Sequence, residues 1–335
     1  MNDNINIRTY RPEDMPALVT LTNEADAYDK MERATTLAET EHDMTTPNYY
    51  PETDCFMAWD NGRLVGFADI FLRIGDAEST CYSWGLVHPD WRRRGLGLRL
   101  MDKIYRRATE RLRVLTDRSG AEIDQGEVHF QGGGRSEETG RRALFEAFGM
   151  QPVRYFVNLA RPLNGDLPPV EIPAGYRLRP FERERDAEVV WQVENLAFRD
   201  HWGAADIPLD EFIHYQLELP HFRPELSVVA EEEATGQIVG VSMNEIGPDW
   251  IKQTGRQEGY VHTLAVLRQA RGKGLGTALL VHSLHVLHQE GMEGAHLKAD
   301  AENLTGAIRL YERVGFRVRK TFISYRKSLR GNGDS

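Results

Sequence analysis

Two short stretches of the sequence put basic residues beside paired glycines. Residues 86–98 read LVHPDWRRRGLGL and residues 265–277 read AVLRQARGKGLGT, and both fit V-x-x-x-x-R-x-x-G-x-G. Arg92, Gly95 and Gly97 of the first recur as Arg271, Gly274 and Gly276 of the second. Such a loop, leading from a strand into a helix, suits phosphate: unpaired N–H groups at a helix N-terminus point outward and the helix dipole adds positive potential. Glycines bring the main chain against the oxygens without a Cβ in the way, and guanidinium groups can grip phosphate in a bidentate manner. The spacing does not fit the G-x-G-x-x-G dinucleotide loop. A single Gly-Leu-Gly turn reads equally well as a tight corner, but two copies in one setting make coincidence improbable.

The elements that must position these loops also repeat. Leu64–Phe67 corresponds to Ile238–Val241, and Leu144–Gly149 corresponds to Leu310–Gly315. Each copy is predicted to run from an extended start (5–10, 176–181) into a helix (12–29, 183–198). Two strands follow (55–59 and 64–71; 226–230 and 238–244), then a strand leading into the loop (81–87, 260–266). After each loop the apolar positions take helical spacing: Leu100, Met101, Ile104, Tyr105, Ala108 and Leu112 in one copy, Leu280, Leu284 and Leu287 in the other. A strand, a short helix and a last strand close each copy; Ile323–Lys327 reads as an edge strand with a solvated end. The fold class is therefore α/β (α+β), two tandem domains each with a mixed, mostly antiparallel sheet flanked by helices. Prolines and glycine around 161–173 mark the connection, so the domains are expected at 1–162 and 174–330.

The 335 residues are about two domains' worth, with 41% apolar and 27% charged residues, as in a folded soluble protein. The net charge of −10 disfavours a nucleic-acid partner. No stretch is long and apolar enough for a spanning helix, and the polar, acidic start is unlike a signal peptide, so a cytoplasmic protein without a membrane partner is expected. Cys55 and Cys81 lack metal spacing, and no metal is expected.

Both loops match the [R/Q]-x-x-G-x-[G/A] pyrophosphate signature, and the chain resembles the GNAT superfamily of acyl-CoA N-acyltransferases over nearly its whole length, as a tandem two-domain member. The layout, and weakly the stretch Ala197–Gly203, is similar to the mycothiol synthases, which acetylate a cysteinyl glycoside. The resemblance implies acetyl-CoA as co-substrate, with pantetheine running along Leu264, Ala265 and Val266 as an added strand. An N–H near Leu264 would polarise the thioester carbonyl. Arg271, Gly272, Lys273, Gly274, Leu275, Gly276 and Thr277 would hold the pyrophosphate. In the first copy Val87, Arg92, Arg93, Arg94, Gly95, Leu96, Gly97 and Leu98 are the corresponding positions.

By the same resemblance Asn303 touches pantetheine and Tyr311 protonates the leaving thiolate; read alone, they are an N-cap and a core aromatic. Counting back from Gly149 and Gly315, Phe145 stands for Tyr311 and Glu137 for Asn303, so the first domain is expected to have lost or weakened catalysis. The family's usual Glu base on the strand before the loop is replaced by Tyr260, and by Cys81 in the first copy. Glu258 and His262 share the face of Tyr260 and could relay the amine's proton. The implied reaction is acetyl transfer to a primary amine of a small molecule by direct attack in a ternary complex, in a monomer or homodimer. A CoA-binding regulatory pseudoenzyme and a protein or peptide acetyltransferase are the alternatives.

Overall fold

A computed structural model describes residues 5–75, 78–119, 127–302 and 306–329. The chain divides into two compact units, Met1–Arg154 with Phe322–Ser335, and Tyr155–Thr321. The expected secondary structure is present in both, in a mixed, mostly antiparallel arrangement.

In the first unit β1 (Asn6–Thr9), β2 (Cys55–Asp60), β3 (Arg63–Arg73) and β4 (Glu78–Val87) are antiparallel neighbours, and β4 pairs in parallel with β5 (Glu127–Arg135). Helix α1 (Met15–Tyr28), the short α2 (Leu37–Met44) and α3 (Pro51–Asp54), the long α4 (Leu96–Ser119) and α5 (Thr139–Ala147) cover this sheet. On α4 the predicted apolar face is buried, with Leu100, Met101, Ile104, Ala108 and Leu112 packed with Phe130 and Phe145. Asp54 is fully buried between Arg107 and Arg111, which pins α3 to α4. Glu78, Glu127 and His129 gather their ligand atoms, but Arg326 already holds both oxygens of Glu78 at 2.9 and 3.0 Å.

The second unit begins within β6 (Gln151–Pro162), which pairs with β11 (Gly294–Asp300). Strands β7 (Tyr176–Pro180), β8 (Val228–Glu232), β9 (Ile238–Glu245) and β10 (Glu258–Val266) are antiparallel neighbours, and β10 meets β11 in parallel. Helix α6 (Arg183–Phe198), α7 (Leu209–Phe212), α8 (Pro248–Thr254), α9 (Leu275–Gln289) and α10 (Ala307–Arg313) complete it. Leu280, Leu284 and Leu287 of α9 are buried as their spacing requires. His285 on the same helix lies 2.9 Å from the Pro168 carbonyl, which ties down the proline-rich segment.

Strand β12 (Arg317–Ser328) serves the first unit: Phe322–Ser328 pairs antiparallel with β5. Each unit is thus completed by a strand from the other half of the sequence. The expected solvated end of this strand is not found. Ile323 and Tyr325 are buried, and Arg326 is drawn inward by Glu78 and by Gln131 at 2.6 Å, charge pairing replacing hydration. Among the described residues no helix is long and apolar enough to cross a membrane.

Candidate active site

The parallel ladder between β10 and β11 runs only from Glu258↔Gly294 to Val261↔Leu297, while β11 continues to Asp300 against β6. Beyond Val261 the two strands part. The register of β10 against β9 slips between Val261 and Thr263, a bulge at His262, whose ring stays on the face of Tyr260 and stacks on it with centroids 5.7 Å apart. The gap opens into a cleft of about 1240 Å³ lined by Tyr260, His262, Leu264 and Val266 on one wall and Leu297–Asp300 on the other. Residues Arg271–Thr277 line it too, as does Tyr311 of α10.

The loop has the shape its glycines permit. Gly272 and Gly274 have φ of +76° and +92°, and Gly274 caps α9 in the left-handed region. A Cβ on Gly272 would meet nothing within 4 Å, so the main chain there is open to a ligand. The side chain of Arg271 is turned back instead. It donates to the Val266 carbonyl at 2.9 Å and the Ala197 carbonyl at 2.6 Å, and pairs with Asp200 at 3.1 Å. Lys273 donates to the Tyr176 hydroxyl at 2.8 Å. The loop's cations brace its conformation and leave main-chain amides to face the cleft.

Three candidates of β10 are separated by their partners. Glu258 is gripped by Arg319 at 2.8 and 2.9 Å, with His296 3.5 Å away. Burial alone would raise its carboxyl, but His296 and Arg319 outweigh that and hold it down at about 2. Tyr260 stacks on His296 with ring centroids 4.9 Å apart, and burial pushes its phenol up to about 12. His262 places Nδ1 2.6 Å from Oε1 of Glu245, and its side chain keeps 31% of its surface exposed. Burial favours the neutral imidazole, yet the hydrogen bond and charge of Glu245 raise its pKa overall. Glu245 stays charged: burial opposes this, but bonds from His221 and His262 hold it at about 2. Tyr311 is 8% exposed, and burial pushes its phenol up to about 12, so it keeps its proton at neutral pH.

Asn303 lies outside the described residues; the helix beyond it starts at Ala307 with Gly306, φ +77°, as its N-cap. Glu245, His221, His296 and Arg319 were not singled out from the sequence. Glu245 stands one residue past the predicted end of its strand; counting the hairpin register back from Gly240↔Val266 would set it opposite Val261, and the bulge at His262 moves it opposite Tyr260.

The first unit repeats the loop. Arg92 donates to the Val87 carbonyl at 2.8 Å and binds Asp29 with both terminal nitrogens at 2.7 Å. Arg93 takes the place of Gly272 with φ +61°, and Gly95 has φ +81°. Its cleft measures about 630 Å³, and Phe145 is buried where the second unit has Tyr311.

The model of the acetyltransferase (GNAT) family matches residues 22–121 and 188–316. The chain belongs to the GNAT acetyltransferase family. It is 31% identical over 277 residues to a mycothiol acetyltransferase of Thermobispora bispora, covering 81% of this chain and 82% of that protein. A mycothiol acetyltransferase of Thermomonospora curvata is 32% identical over 261 residues, covering 78% and 77%. Among solved structures, a GCN5-related N-acetyltransferase from Sphaerobacter thermophilus superposes with a TM-score of 0.72 at 25% identity, over 100% of this chain and 99% of that one. A tandem GNAT protein from the clavulanic acid biosynthesis pathway, 18% identical with a TM-score of 0.68, shares the fold over 98% of this chain and all of its own. This GNAT protein is therefore an N-acetyltransferase that uses an acyl-CoA co-substrate. The parted strands and the open main chain at Gly272 fit an extended, diphosphate-bearing cofactor.

Proposed function

We propose that the second unit transfers an acetyl group from acetyl-CoA to a primary amine of a small molecule, by direct attack with both substrates bound. The observation that carries this reading is that one cleft collects the glycine loop, the unpaired run of β10, His262 and Tyr311. The thioester supplies an acyl group already activated for transfer, so no acyl-enzyme is needed. Main-chain amides of Gly272–Gly276 would hold the diphosphate, and the free margin of β10 at Leu264–Val266 would pair with pantetheine. An N–H near Leu264 would bond the carbonyl oxygen as it gains charge.

His262 acts as the base. With Nδ1–H donated to Glu245, Nε2 is left to accept the amine's proton as nitrogen bonds to the acyl carbon. Glu258 is a poorer base because Arg319 holds both its oxygens. Tyr311 gives its proton to the sulfur as the carbon–sulfur bond breaks. The name shared by the first relatives, mycothiol acetyltransferase, supports an acceptor of low molecular weight.

Thiol release from acetyl-CoA, measured against small amines, amino-sugar antibiotics, cysteinyl glycosides and peptides with free N-termini, tests the reading. Turnover with a small amine is expected. Turnover with peptides alone would overturn the acceptor class, and no acetyl transfer to any amine would overturn the activity. In the His262→Gln variant the residual rate should lose its titration, whereas Glu258→Gln should keep the limb of the parent.

A further inference from the structure

The first unit keeps the loop and the parting strands but fills the gap between them. Its parallel ladder ends at Tyr82↔Gln131, as the ladder of the second unit ends at Val261↔Leu297. Past that point Gly85 is the counterpart of Leu264, since Gly85 lies opposite Ala68 as Leu264 lies opposite Ser242. Counting back from Gly149 and Gly315, the second unit has Ala307 in its cleft wall where the first has Arg141. A methyl group is exchanged for a long cation.

Arg141 occupies the gap in a defined way. Its Nη1 donates to the Gly85 carbonyl at 3.2 Å, and its Nε donates to Oε1 of Glu138 at 3.1 Å. Oε2 of Glu138 in turn accepts the Arg135 N–H at 2.7 Å, so the carboxylate that steadies the guanidinium is itself held by main chain. Both side chains are largely sheltered, 22% exposed for Arg141 and 12% for Glu138.

The glycines of β5 are shaped to this filling. A Cβ on Gly134 would come within 2.4 Å of Cδ of Arg141 and 3.0 Å of Oε2 of Glu138. A Cβ on Gly132 would come within 2.9 Å of the Phe145 ring and 3.0 Å of the Ser83 hydroxyl. The second unit has Lys298 and Asp300 at the matching positions, with its gap open. The run Gly132–Gly134 therefore accommodates side chains of its own unit.

We propose that Arg141, steadied by Glu138, fills the strand gap of the first unit from within, its guanidinium standing on the Gly85 carbonyl where a pantetheine amide would stand. The chain then binds one CoA, in the second unit. This rests on reading the second cleft as the CoA site. A ligand that adds itself to β4 as an extra strand has to evict a charge-assisted pair and find the space now taken by the arginine stem. The loop Arg92–Leu98 and a cleft of about 630 Å³ are in place, but the strand margin at Gly85 that should pair with the rest of the cofactor is taken by Arg141.

Equilibrium dialysis of the full chain with radiolabelled CoA decides the matter, read as molecules bound per chain. One is expected for the parent, two for Arg141→Ala, and none for Ala307→Arg, which carries the plug into the second unit. The double variant should bind one. Two bound to the parent, or no gain in both Arg141→Ala and an Arg141→Ala/Glu138→Ala pair, would overturn the proposal. So would binding retained by Ala307→Arg at parental affinity. Failure of the functional reading looks different: the parent would then bind CoA yet transfer no acetyl group to any amine.

Discussion

Replacing Glu245 by glutamine removes the charge that raises His262 while keeping the shape of its partner. The contact is 2.6 Å long and ionic, a hydrogen bond of the kind worth about 1.5–3 kcal/mol. At about 1.36 kcal/mol per pH unit, its loss should lower the imidazolium pKa by about 1–2 units. Burial, which already favours the neutral ring, is then opposed only by the smaller pull of Glu194. The sign follows from which form works. With His262 as the proposed base the neutral ring accepts the amine's proton, so the parent gains activity as pH rises through a value above that of an ordinary histidine. In Glu245→Gln the same limb should appear about 1–2 units lower, while the plateau falls by roughly 10²-fold because the ring's tautomer is no longer fixed, within the range for general-base contributions. Glu245 itself, held at about 2, is ionised across the working range and adds no limb of its own. Thiol release at saturating acetyl-CoA and amine, followed from about pH 5 to about pH 10, reads both quantities. A limb at the parental position, or one displaced upward, would show that His262 is not the titrating base.

Three further outcomes are expected. Tyr311→Phe should lower kcat by roughly 10²–10⁴-fold with little change in CoA affinity, and parental turnover would remove Tyr311 from the mechanism. Gly274→Val forces a β-branched residue into φ +92° at the mouth of α9 and should abolish CoA binding in the second unit by calorimetry; unchanged affinity there would refute the loop assignment. Asp54→Ala leaves Arg107 and Arg111 facing each other around a buried vacancy and should cost about 3–5 kcal/mol in urea unfolding, a loss below about 1 kcal/mol showing that water replaces the carboxylate.

What could be read from the sequence was what is local. Glycines at fixed offsets from an arginine, and leucines spaced along one face of α9, carry their meaning within a few residues. The proposed base did not yield to the same reading. His262, Tyr260 and Glu258 alternate on one strand and look equivalent until their partners are known, and those partners stand on other elements. Arg319 comes from β12 and neutralises Glu258; Glu245 comes from the end of β9 and orients His262. Alternation along the strand does set Tyr260 and His262 on one face, with their rings 5.7 Å apart, but it says nothing of which carboxylate each will meet. The exchange of last strands was equally hidden, because an amphipathic strand such as 322–328 states which face it buries but not which sheet it joins.

The role of the signature arginine changes once the two loops are compared. In both units its Nε reaches the carbonyl of the preceding valine, at 2.8 and 2.9 Å, and its outer nitrogens hold groups near the end of the first helix of that unit, Asp29 in one, Ala197 and Asp200 in the other. The loop keeps its left-handed turn even where glycine has been lost, since Arg93 adopts φ +61° at a cost of about 1–2 kcal/mol for a residue with a Cβ. A conformation retained against such a cost is imposed by the surrounding fold, and the arginine bracket is the part of that fold common to both copies. The loop's shape is therefore a property of the architecture and cannot by itself distinguish a working site from an idle one. In the proposed function that distinction rests on the opposite wall, where one unit presents Ala307 and Tyr311 to its cleft and the other presents Arg141 and Phe145.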